Sequence, residues 1–76
     1  MYDPSLRTIL LRILSRWGKL PESDLLARLT PLQAVGFRPE VFRDLVADGL
    51  IRERSAGDER VIEITDQGRR AVDGPG

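Results

Sequence analysis

The 76-residue chain has no cysteine and no histidine. The first absence removes any disulfide framework or thiolate metal site. The second removes Ser-His and Cys-His catalytic pairs and leaves zinc only carboxylates, a poor structural set. Aromatic residues are few: one tryptophan, one tyrosine and two phenylalanines. No apolar run approaches the roughly 18 residues of a membrane span, so no membrane partner is expected. The opening Met1-Tyr2-Asp3-Pro4 has neither the basic start nor the small-residue cleavage site of a signal peptide, which makes the cytoplasm the expected location. No glycine-rich phosphate loop with its Lys-Ser/Thr is present, and the carboxylates fall in no segment expected to form a pocket. An enzyme is therefore not expected, nor a metal, a cofactor or an effector site.

What is present is charge, in balance. Twelve basic and twelve acidic residues give a formal net charge of +0. The balance is uneven along the chain: residues 1–20 carry a net +3 through Arg7, Arg12, Arg16 and Lys19 against Asp3, and the remainder a net −3. Of the twelve basic residues only Lys19 is lysine, the codon bias of a GC-rich and, we expect, bacterial genome. A chain of this length makes one small domain and must close around a single core. We expect that domain over residues 1–72, with 73–76 a disordered tail.

Periodicity gives the elements. Leu6, Ile9, Leu10, Ile13, Leu14 and Trp17 share one face of a first helix, with Asp3 as its cap, Pro4 at its first position and Gly18 at its end. Trp17 on that face reads as core, the other reading being a binding aromatic; Phe37 and Phe42 also read as core. Leu11 lies outside the main apolar arc and is either packed at a flank or open to a partner. Lys19-Leu20-Pro21 reads as a short strand. A second helix spans Glu22 to Leu29, with Leu25, Leu26 and Leu29 inward. Thr30-Pro31 breaks the pattern and opens a single separate turn holding Leu32 and Val35, closed by Gly36. A third helix starts near Pro39, carries Val41, Phe42, Leu45 and Val46, and stops at Gly49. Arg52 to Thr65 reads as a hairpin around a Ser55-Ala56-Gly57-Asp58 tip, its return strand rich in Val61, Ile62 and Ile64. Thr65 caps a last turn from Asp66 to Val72. The expected fold is mainly α with a small β-hairpin: a three-helix core, a two-stranded hairpin and a short C-terminal helical turn.

Asp48-Gly49-Leu50-Ile51 after Leu45, followed by Ile64-Thr65-Asp66-Gln67-Gly68-Arg69-Arg70-Ala71, resembles the winged helix-turn-helix regulators of the MarR and PadR type. The resemblance covers about residues 5–72, with a longer link, Thr30 to Arg38, than the family's usual turn. Each residue has a physical reason. Gly49 lets the helix stop in a left-handed conformation, Leu50 and Ile51 drop into the core, Thr65 caps the next helix, and Gly68 allows close packing on the wing.

The resemblance implies a transcriptional regulator that binds double-stranded DNA, possible as a homodimer, with the third helix in the major groove and the wing on the adjacent backbone. Carried over position by position, the DNA-facing residues are Arg38, Glu40, Arg43, Asp44 and Ala47 on the helix and Arg52, Arg54 and Arg60 on the wing. An arginine fork can grip phosphate or guanine. The same arginines alternate with acids, so a solvated helix face for Arg38 and Arg43, and a cross-strand ladder with Glu53 and Glu59 for Arg54 and Arg60, stand beside the DNA reading. The alternative function is a winged-helix protein-interaction module without DNA binding. It would dock a partner or a second copy through a surface of Tyr2, Leu11, Arg12, Arg16 and Lys19.

Overall fold

The computed structural model describes residues 3–73, which form five helices and a three-stranded antiparallel sheet. The helices are α1 (Ser5–Trp17), α2 (Glu22–Ala27), α3 (Pro31–Gly36), α4 (Glu40–Ala47) and α5 (Asp66–Asp73); the strands are β1 (Lys19–Pro21), β2 (Ile51–Ala56) and β3 (Glu59–Ile64). Tyr2 and residues 74–76 of the expected tail lie outside the described residues. Asp73, expected in that tail, is the last residue of α5.

Helix α1 starts as its sequence dictates. Pro4 already has helical backbone angles, and the Asp3 carboxylate accepts the Ser5 N–H at 3.0 Å, which fills one of the donors a helix leaves open at its start. Hydrogen bonding from Ser5, through its backbone N–H first and its hydroxyl second, holds the Asp3 carboxyl below its ordinary pKa. At the other end Gly18 takes φ +82° and its N–H returns to Leu14 O. Helix α3 is fixed by a reciprocal cap: Thr30 Oγ1 accepts from Gln33 N, and Gln33 Oε1 accepts from Thr30 N. The expected separate turn after Thr30 is therefore a short helix of six residues.

Helix α4 ends in a left-handed stop. Gly49 has φ +76°, its N–H bonds Val46 O, and the Leu50 N–H reaches back to Leu45 O at 2.9 Å. This paired closure satisfies carbonyls that would otherwise be orphaned. Thr65 then locks the junction. Its hydroxyl donates to Gly49 O at 2.6 Å and accepts from Gly68 N at 3.0 Å, while its own N–H bonds Leu50 O. Gly68 is required by space: a Cβ there would overlap the Leu50 carbonyl oxygen and lie 2.8 Å from Ile64 Cγ1.

The sheet order is β1-β3-β2. Leu20 faces Ile62 across β1–β3, and Ile51 faces Ile64 across β2–β3, so one face of the sheet supplies apolar side chains to the core. The core joins them to Leu10, Leu11, Leu14, Leu25, Leu29, Val41, Phe42 and Leu45. Phe37 packs at its edge, its ring centroid 5.4 Å from that of Phe42.

Two expectations on α1 are corrected. Leu11 is buried, at 4% exposure, and is not available to a partner. Helix α1 is contacted by α2, α4, α5, β1 and β3, so its buried arc is wider than one stripe and takes Leu11 in. Trp17 is 52% exposed and is not a core residue. It stands at the last turn of α1, where the core has ended and Leu20 turns inward instead. Leu32 and Val35 of α3 and Val46 of α4 are also exposed. Among the described residues no helix is long and apolar enough to cross a membrane.

Candidate functional site

The outer side of α4 follows from its inner side. Val41, Phe42 and Leu45 fill one helical face, which leaves Glu40, Arg43, Asp44, Val46, Ala47 and Asp48 exposed. Arg43 and Val46 project toward the hairpin, where with Pro39, Glu53 and Arg60 they line a cleft of about 370 Å³. The cleft is the place where the helix and the hairpin meet in one surface.

The charged residues expected to act together are divided by the strand alternation. Side chains point to opposite faces at successive positions. With Ile51 and Ile62 in the core, Glu53 and Arg60 share the α4 side of the hairpin. Arg52 and Arg54 lie on the outer face with Glu63 and Lys19, where Lys19 and Arg52 flank Glu63 in register on its two neighbouring strands. Of the expected wing arginines, only Arg60 reaches the cleft.

Several of these arginines already have partners. Arg60 is shared between Glu53 at 3.5 Å and Glu22 at 3.7 Å. Arg54 Nε lies 3.6 Å from Glu63 Oε1, an ion pair too long for a hydrogen bond. The cross-strand expectation for Arg60 therefore holds for Glu53, whereas Glu59 bonds the Ser23 hydroxyl. Arg38 precedes α4 and folds back, donating to Phe37 O at 2.8 Å and to Val35 O. Among the described residues Arg43 and Arg52 hold no such partner. On the acidic side Asp48, near the negative end of the α4 dipole, is compensated by an ion pair to Arg7 of α1. That pair ties the two helices and removes one acid from the balance of the α4 surface.

A second charged surface is not the one expected from the sequence. Arg12, Ile13, Arg16, Trp17 and Arg28 line a groove of about 450 Å³ between α1 and α2. The Arg28 guanidinium sits 4.4 Å above the Trp17 ring centroid, a cation–π contact. Arg12 and Arg16 belong to the expected partner surface, but Lys19 turns to the outer face of the sheet and Leu11 into the core. Arg28 and Trp17 were not legible as a pair. They lie eleven positions apart, Trp17 at the end of α1 and Arg28 just past the end of α2, and only the α1–β1–α2 chain reversal brings them together.

No protein family, curated protein or solved structure matches the chain.

Proposed function

We propose that the chain is a winged helix-turn-helix domain that binds double-stranded DNA as a bacterial regulator, with α4 as the recognition helix and β2–β3 as the wing. The observation that carries this reading is the shared cleft: Arg43 on the exposed side of α4 and Arg60 on the inner face of the hairpin border one surface. A helix presented to the major groove beside a hairpin presented to the backbone is the geometry such recognition uses. The element order helix, strand, three helices, hairpin, with the short α3 inserted in the link, supports it, as does the Gly49–Leu50–Ile51 stop with its Thr65 lock. The internal ion pairs of Arg54 and Arg60 are exposed at their arginine ends. Exposed pairs contribute only about 0–1 kcal/mol, so Arg60 can exchange a carboxylate for a phosphate at little cost. A homodimer would double the small number of arginines presented.

A mobility shift on the DNA upstream of the chain's own gene tests the reading. The wild-type protein is expected to retard it in a salt-sensitive manner, and the Arg43→Ala/Arg60→Ala double variant is expected to lose the shift while keeping its circular dichroism spectrum. Absence of any salt-sensitive binding by the wild type would end the proposal.

One observation favours a second reading, a winged-helix module that docks protein and has no DNA role. Arg38, Arg54 and Arg60 are each engaged within the domain, while the arginines of the α1–α2 groove are unpaired with any acid among the described residues. Size-exclusion chromatography with and without random DNA separates the two: a DNA-dependent shift supports the first reading, and an unchanged elution position supports the second.

A further inference from the structure

We infer that the α1–α2 groove is a docking site for an acidic, amphipathic segment of a partner protein. Its lining explains the choice of occupant. Arg12 and Arg16 lie four residues apart on α1, as do Ile13 and Trp17; residues at that spacing stand one above the other on a helix. Helix α1 therefore presents two adjacent rows, one of guanidinium groups and one apolar. Arg28, at the C-terminal cap of α2, closes the groove from the other side, above the Trp17 ring. The apolar row thus runs between cations on both flanks.

Charge complementarity asks for carboxylates, and the geometry asks for them beside apolar side chains. Arg12 and Arg16 are separated by about 6 Å along the helix axis. Carboxylates four residues apart on a helix, or two apart on a strand, match that spacing, and each guanidinium can take one in a forked pair. Leucine-like side chains of the same segment would lie on Ile13 and Trp17. A nucleic-acid strand would use the cations and leave the apolar row in water. The indole face that base stacking needs is also covered on one side by Arg28.

A second copy of the chain is a weaker match, because its acids stand beside its own arginines, which would face the cations of the groove: Asp48 beside Arg7, Glu22 and Glu53 beside Arg60, and Glu63 beside Arg54. The site is separate from the α4–hairpin cleft and stands or falls independently of DNA binding there.

Trp17 is the only tryptophan, so its fluorescence reports on this groove alone. The full chain is titrated with a synthetic peptide alternating Glu and Leu, with its Gln-for-Glu counterpart, and with single-stranded oligothymidylate. The expected result is a saturable change in Trp17 emission with the acidic peptide. Arg12→Glu/Arg16→Glu is expected to weaken it by about tenfold or more, and Arg43→Ala to leave it unchanged. Thermal melts of both variants establish that they fold; if the double charge reversal does not fold, Arg16→Gln takes its place with a smaller expected loss. Equal binding of the Gln peptide, tighter binding of oligothymidylate, no saturable response, or a response that follows protein concentration alone through self-association would each overturn the inference.

Discussion

Gly68 carries the most sharply defined constraint at the residue scale. It is buried, and a methyl group there meets the Leu50 carbonyl and the Ile64 side chain at once. Neither can yield without moving the α4 stop or β3. Gly68→Ala is expected to destabilise the domain by about 1–3 kcal/mol, the range of overpacked sites, read as a lower urea midpoint. Gly57 makes a useful contrast. Its φ of +66° disfavours a side chain, but a Cβ there meets nothing within 4 Å, so Gly57→Ala is expected to cost only about 1–2 kcal/mol of backbone strain. Asp3 gives the pH-dependent counterpart. Its carboxyl titrates below the ordinary value because the charged form accepts hydrogen bonds from Ser5. A depressed folded-state pKa contributes stability above the unfolded value of about 3.9, and that contribution fades as pH falls through the folded value. Asp3→Asn is therefore expected to flatten the acid limb of the stability–pH curve. An unchanged acid limb in melts at successive pH values would contradict that.

At the scale of elements, short helices depend on their ends. Helix α3 has six residues and no buried side chain, so the Thr30–Gln33 reciprocal cap is its main internal support. Thr30→Ala is expected to cost about 1 kcal/mol, with faster amide exchange confined to residues 31–36. The elements themselves were legible from local signals: Thr30-Pro31 announces a cap, Gly49 a stop, Thr65 a second cap, and each does that work. Burial at the flanks was not legible. A 3.6-residue period identifies an apolar face but not how far the core extends along it or around it. Trp17 satisfies the period and overruns the core, whereas Leu11 misses the stripe and is covered because α1 is packed on several sides. The candidate cleft was half legible for the same reason. The exposed face of α4 follows from Val41, Phe42 and Leu45, but the division of Arg52 and Arg54 from Arg60 depends on the register of β2 against β3.

At the scale of the whole molecule the charges cancel, and their placement matters more than their sum. The α4–hairpin cleft mixes Arg43 and Arg60 with Glu53, while the α1–α2 groove gathers three arginines around one tryptophan. The proposed DNA role asks the first surface to hold phosphates with few free cations, which makes affinity modest and its salt dependence shallow. If Arg43 and Arg60 each neutralise one phosphate, the logarithm of the binding constant falls with the logarithm of salt at a slope of about −2. The most direct test is fluorescence anisotropy of a labelled DNA duplex titrated with the full chain across a salt series, repeated with Arg60→Ala. The account predicts a slope of about −2 per bound copy, reduced in magnitude by about 1 in the variant. Anisotropy that stays flat at low salt, or a slope that Arg60→Ala leaves unchanged, would contradict it.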